Sequence, residues 1–77
     1  MVKLRPECVA FGETVRDLRS SQGYSQEEFA ARASVHRTYI GGIERGERNP
    51  TLSTICKIAH ALRVAPVDLL GNVGAKR

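Results

Sequence analysis

The sequence predicts an all-α fold of five short helices packed round one core, and three observations lead there. Apolar residues recur at three- and four-residue intervals in successive segments, whereas no segment shows the sustained alternation of a half-buried strand. Residues that start helices (Ser25, Thr51, Pro66) stand immediately before or at the beginning of three of those segments. Gly23, Gly46, Asn49-Pro50 and Gly71 punctuate the chain between or after them.

Taken in order, Phe11, Val15 and Leu18 have i, i+4, i+7 spacing and predict a first helix over about residues 7–22, stopped by Gly23. Ser25 lies three residues before Glu28, a capping box in which the Ser oxygen accepts from the Glu28 amide while the Glu side chain reaches back. A second helix therefore starts at Gln26 and ends near Ala33, with Phe29, Ala30 and Ala33 as its inward stripe. After the Ser34-Val35 connection, Ile40 and Ile43 sit one turn apart on a third helix, residues 37–45, ended by Gly46 as a left-handed cap. Residues 46–50 cannot continue a helix, and Thr51 caps a fourth bearing Leu52, Ile55, Ile58, Ala59 and Leu62, the strongest amphipathic pattern in the chain. Pro66 opens a short fifth helix through Leu70, and residues 72–77 read as a frayed tail.

A chain of 77 residues that is 42% hydrophobic is expected to form a single domain over residues 1–77, its core about 9–71. At this size one core leaves only about 3–5 kcal/mol of net stability, so a partner subunit would help. Cys8 and Cys56 form no CxxC pair, and Cys56 with His60 at i, i+4 is half of a metal site at most, so neither a metal nor another cofactor is expected. No phosphate loop, nucleophile elbow or zinc-protease motif is present, and neither Cys8 nor Ser25 has an assignable base, so no enzyme activity is expected. No apolar run approaches the ~20 residues that span a bilayer, and the first six residues lack a secretory apolar stretch. A cytoplasmic location, with no membrane as partner, is the expectation.

The net charge of +4 and a pI near 9.6 favour a polyanion, nucleic acid first among them. The excess is not uniform: residues 1–33 carry five basic and five acidic groups, whereas residues 34–63 carry five and two. Two short helices joined by a tight turn, the second and third, have the arrangement of a helix-turn-helix. Because Ile40 and Ile43 set the inward side of the third helix, Arg37, Thr38, Tyr39 and Gly42 are expected to face outward together. A guanidinium can bond guanine bidentately and a Thr methyl can meet thymine, so this face suits base edges in DNA. An ordinary solvated helix face accounts for the same spacing.

Several pieces then fall in order along nearly the whole chain. They are Phe11-Gly12, Val15-Arg16-Asp17-Leu18-Arg19, residues 25–30 (SQEEFA), residues 37–46 (RTYIGGIERG), Asn49-Pro50 and residues 58–62 (IAHAL). Together they resemble the Cro/C1-type (XRE) helix-turn-helix family, and within it the controller proteins of restriction-modification systems. The resemblance implies a five-helix repressor-like fold and a homodimeric transcription regulator on a two-fold-related double-stranded DNA operator. It implies base reading by Arg37, Thr38, Tyr39 and Gly42 in the major groove, and phosphate binding by Ser25, Gln26, Arg45, Arg48 and Asn49. It also implies a buried salt bridge between Arg19 and Glu44, where the letters alone fit two unrelated surface charges. Pro66, Val67 and Leu70 on the fifth helix are the expected dimer interface. RNA polymerase is a further expected partner, although no residue group stands out as its surface.

The sequence departs from the family pattern at Ser34 and Arg63, turn positions where Gly is common, and at His36, where Ser or Thr is the usual cap. Gly41 and Gly42 inside the third helix should each cost about 1 kcal/mol relative to Ala. One reason for Gly42 is a closer approach to bases; another is flexibility that DNA binding removes. A different class of function, an antitoxin-like module that neutralises a protein partner with the same fold, would need an extension to wrap that partner, and residues 72–77 are short for it.

Overall fold

The computed structural model describes residues 4–74 and contains five α-helices, with no strand among the described residues. They are α1 (Pro6–Ser21), α2 (Gln26–Ala33), α3 (Arg37–Glu44), α4 (Leu52–Leu62) and α5 (Pro66–Leu69), all within one residue of the expected bounds. Residues 1–3 and 75–77 lie outside the described residues, and so do the start of the N-terminal segment and the end of the expected tail.

Each helix end is set by local chemistry. Ser25 Oγ accepts from the Glu28 amide at 3.0 Å and Glu28 Oε1 accepts from the Ser25 amide at 2.9 Å, completing the capping box. Thr51 Oγ1 accepts from the Thr54 amide at 3.2 Å. His36 does cap α3: its Nδ1 accepts from the Thr38 amide at 3.4 Å, with the Thr38 hydroxyl 3.0 Å from the same nitrogen. Ser34 (φ 58°) and Arg63 (φ 61°) adopt the left-handed conformation that glycine usually supplies at these turns. Gly46 (φ 78°) needs its glycine twice over, because a Cβ there would also stand 2.8 Å from Val9 Cγ2 on α1.

The core gathers Phe11 and Val15 of α1, Phe29 of α2, Ile40 and Ile43 of α3, Ile58 and Leu62 of α4 and Leu69 of α5. Burying each such side chain contributes about 1.5–3 kcal/mol. α1 packs across α3, and the approach is so close that a Cβ on Gly12 would collide with the backbone carbonyl oxygens of Ile43 and Glu44. Gln22 Nε2 donates to the Leu62 carbonyl at 2.8 Å, tying the end of α1 to the end of α4.

Two expectations are corrected. Leu52, placed on the inward stripe of α4, is 70% exposed, because it is the first residue of the helix and the apolar row runs out past the core edge one turn before Ile55. Residues 72–74 are not frayed: Val73 packs against the core, and Asn72 Nδ2 donates to Thr14 Oγ1 at 3.4 Å.

Gly12→Ala forces α1 and α3 apart and should cost about 1–3 kcal/mol or more in urea unfolding. Gly71→Ala, which meets nothing within 4 Å, should change little. Equal midpoints for the two variants would contradict the close crossing.

Candidate nucleic-acid interface

α2 and α3 are joined by three residues, Ser34, Val35 and His36, and pack directly on one another. Ile40 and Ile43 are fully buried and determine the side of α3 that faces the core. Arg37 and Thr38 are consequently exposed at its N-terminal end, as the spacing predicts, and the Thr38 hydroxyl is oriented by His36. Tyr39 is half-buried, with the Arg48 guanidinium over its ring, 5.5 Å from the centroid.

Gly42 does not face outward as the spacing led us to expect. It is buried, and a Cβ on it would stand 2.8 Å from Cγ of Arg48. The loop after α3 folds back so that Arg48 crosses the helix at this point, and the missing side chain makes room for the Arg48 stem. Gly41 plays the same part for Arg45, whose Nη1 lies 3.1 Å from where a Gly41 Cβ would be, with Gln26 Oε1 at 3.7 Å. The two helix-weakening glycines thus form the floor on which two loop arginines rest.

The far end of α3 is held by a buried network. Arg19 Nε donates to Glu44 Oε2 at 2.6 Å and its Nη2 to Oε1 at 3.0 Å, while Nη1 donates to the Tyr24 carbonyl at 2.7 Å. Gln26 Nε2 adds a bond to Glu44 Oε1 at 2.9 Å. The Glu44 side chain is only 3% exposed, so a buried carboxylate collects donors from α1 and from the first residue of α2. Hydrogen bonding to Glu44, opposed by burial and reinforced by the carboxylate charge, raises the Arg19 pKa above its ordinary value. With the folded value raised, the contribution of the Arg19 charge is fully present below the unfolded value and is lost as pH rises through the folded one.

The remaining expected phosphate ligands stand at the start of α2 and just after the end of α3. Ser25 is exposed at the α2 N-terminus with its oxygen committed to the cap, and Gln26 is steered by Glu44. Arg45 is paired with Glu47 at 3.2 Å, its side chain 61% exposed. Asn49 is exposed and lines an apolar recess of about 130 Å³ with Cys8 and Phe11 of α1. Pro66 and Val67 on α5 and Leu70 just after it are all exposed, Val67 by 70%. Sequence reasoning missed Leu52 as an exposed apolar residue and Glu47 as a partner of Arg45. An acid two residues from one Arg and beside another was the available signal for Glu47. Among the described residues no three metal-ligating side chains cluster, and no helix is long and apolar enough to cross a membrane.

Glu44→Ala leaves the half-buried Arg19 guanidinium without its counter-charge and should cost up to about 3–5 kcal/mol in chemical unfolding. The double variant Arg19→Met, Glu44→Leu should lose much less than that single one, and additive losses would refute the coupling.

Residues 15–69 match the helix-turn-helix family model HTH_3. The control protein C.BamHI of Bacillus amyloliquefaciens is 52% identical over 61 residues, which are 78% of this chain and 75% of that protein. The crystal structure of the restriction-modification controller protein C.AhdI from Aeromonas hydrophila aligns with a TM-score of 0.82 at 43% identity, covering 84% of this chain and 98% of that one. The biofilm master regulator SinR, solved in complex with DNA, aligns with a TM-score of 0.75 at 33% identity, covering 78% of this chain and 97% of that one. With more than half its length matched and its paired helices α2 and α3 in place, the chain belongs to the Cro/C1-type helix-turn-helix family.

Proposed function

We propose that this protein is a sequence-specific double-stranded DNA-binding transcription regulator, acting as a homodimer on a two-fold-related operator in the manner of a restriction-modification controller. The observation that carries this reading is the exposed N-terminal end of α3, where Arg37 and Thr38 project from a helix whose other end is anchored through Glu44. A helix held in this way enters the major groove as a rigid reader, and its first residues meet base edges. Arg37 supplies a bidentate fork for guanine, Thr38 a methyl and a hydroxyl, and Tyr39 a phenol alongside the Arg48 guanidinium. Gly42 contributes clearance for Arg48 rather than a contact of its own.

Ser25 and Gln26 stand at the α2 N-terminus, whose free amides favour an anion, and with Arg45, Arg48 and Asn49 they bind backbone phosphates. Pro66, Val67 and Leu70 join the subunits, and Leu52 adds apolar area on α4, which packs against α5. A partner subunit covering these residues adds the burial that a chain of 77 residues lacks on its own. Two subunits read half-sites about 34–36 Å apart. The protein works in the cytoplasm, where its effect on transcription is delivered to RNA polymerase at the promoter.

Selection of bound sequences from a random DNA pool tests the reading, with an enriched two-fold-related motif as the expected result. No enrichment would overturn it. On the selected site, Arg37→Ala should lose about 1–3 kcal/mol and relax discrimination at one base pair, and equal losses on all sequences would make Arg37 a phosphate ligand instead. Arg48→Ala should weaken binding to all sequences alike and reduce the magnitude of the salt slope by about 0.9, the value for one phosphate contact. An unchanged slope would remove Arg48 from the phosphate set.

A further inference from the structure

Glu47 is the one acidic residue between Arg45 and Arg48, the two arginines of the loop that faces DNA in the function proposed above, and the inference rests on that reading. Its position is built into the turn. The Glu47 amide donates to the Gly42 carbonyl at 2.9 Å and the Gly46 amide to the Ile43 carbonyl at 3.0 Å, so the α3 C-terminal turn fixes the backbone from which the carboxylate extends. From there Oε2 lies 3.2 Å from Nε of Arg45, and the guanidinium lies over Gly41 beside Gln26 Oε1. The Arg45 and Glu47 side chains are 61% and 37% exposed, so a phosphate can reach the same guanidinium.

We propose that Glu47 is a specificity-determining residue that competes with DNA phosphate for Arg45. A phosphate on Arg45 either displaces this carboxylate from Nε or shares the guanidinium with it, and in both cases meets it close by as a like charge. On the operator, base contacts from α3 hold the duplex near enough for the exchange to proceed. On unrelated sequence those contacts are missing, the pair persists, and one phosphate contact is forgone. Glu47 thereby lowers non-specific affinity more than operator affinity, which widens the ratio that matters when a regulator searches a genome of competing sites. An exposed ion pair is weak enough to be exchanged in this way; its measured range corresponds to about a 1.4- to 5-fold effect.

The test is binding of the full chain to the selected site and to a scrambled duplex of equal length, as wild type, Glu47→Gln, Arg45→Ala and the double variant. Glu47→Gln should bind the scrambled duplex about two- to five-fold more tightly, with a smaller gain on the selected site. Its salt slope on the scrambled duplex should steepen by about 0.9, one further phosphate contact. Arg45→Ala should erase that gain in the Glu47→Gln background. Thermal unfolding of each variant checks that the fold is kept. Equal weakening on both duplexes would make Glu47 a support that orients Arg45, and an unchanged ratio would make it a bystander; either result overturns the proposal while leaving the regulator reading intact. Failure of the wild type to select any sequence overturns both.

Discussion

Everything that α3 presents to the outside depends on the Arg19–Glu44 pair. The guanidinium of α1 meets the carboxylate of α3 through two bonds of 2.6 and 3.0 Å, and each adds a third bond, the guanidinium to the Tyr24 carbonyl and the carboxylate from the Gln26 amide. Taking two charges out of water is costly, and a buried pair of this kind need not exceed an apolar replacement in net stability. Its value is geometric. A planar fork admits one relative orientation of its partner, so the pair fixes α3 against α1, and Gln26 fixes the start of α2 to the same carboxylate.

That register permits the close crossing at Gly12, where no Cβ fits against the Ile43 and Glu44 carbonyls. The crossing and the salt bridge lie on the same pair of helices and restrain each other: the helices can approach only because residue 12 lacks a side chain, and the fork is short only because they approach. Above this braced layer the outward residues of α3 and of the loop after it form two groups. Arg37 and Thr38 stand exposed at one end, while Arg45 and Arg48 fold back over Gly41 and Gly42. The cost of two glycines in a helix of eight residues is offset by anchoring that helix at Glu44, which leaves them free to give room rather than flexibility.

Much of the fold was legible in the chain. Ser25 with Glu28, Thr51, Gly46 and Pro66 marked helix ends because caps and turns are satisfied within four residues, a range over which sequence spacing and spatial distance are nearly the same thing. The inward stripes of α1 to α3 followed from periodicity. Leu52 failed because periodicity says which side of a helix is apolar and not where along the helix the core stops. The site was legible in part. Arg37 and Thr38 are where the spacing put them, but Gly42 is not, since the loop that covers it is folded by contacts between residues 46 and 9 that no local pattern contains.

The amino-acid sequence by itself determined the number, order and limits of the helices, the pairing of α2 with α3, and the family to which the chain belongs, all through local hydrogen bonding, apolar spacing and ordered motifs. Tertiary structure decided what joins those elements across distance. It closed Arg19 onto Glu44 over 25 residues, laid Arg45 and Arg48 on a glycine floor, placed Glu47 against Arg45, and left Leu52 and Val67 uncovered. The physical reason is range. A cap or a helical stripe is complete within a few residues, whereas a buried charge pair, a close crossing and an exposed apolar face exist only once separate helices have been brought together.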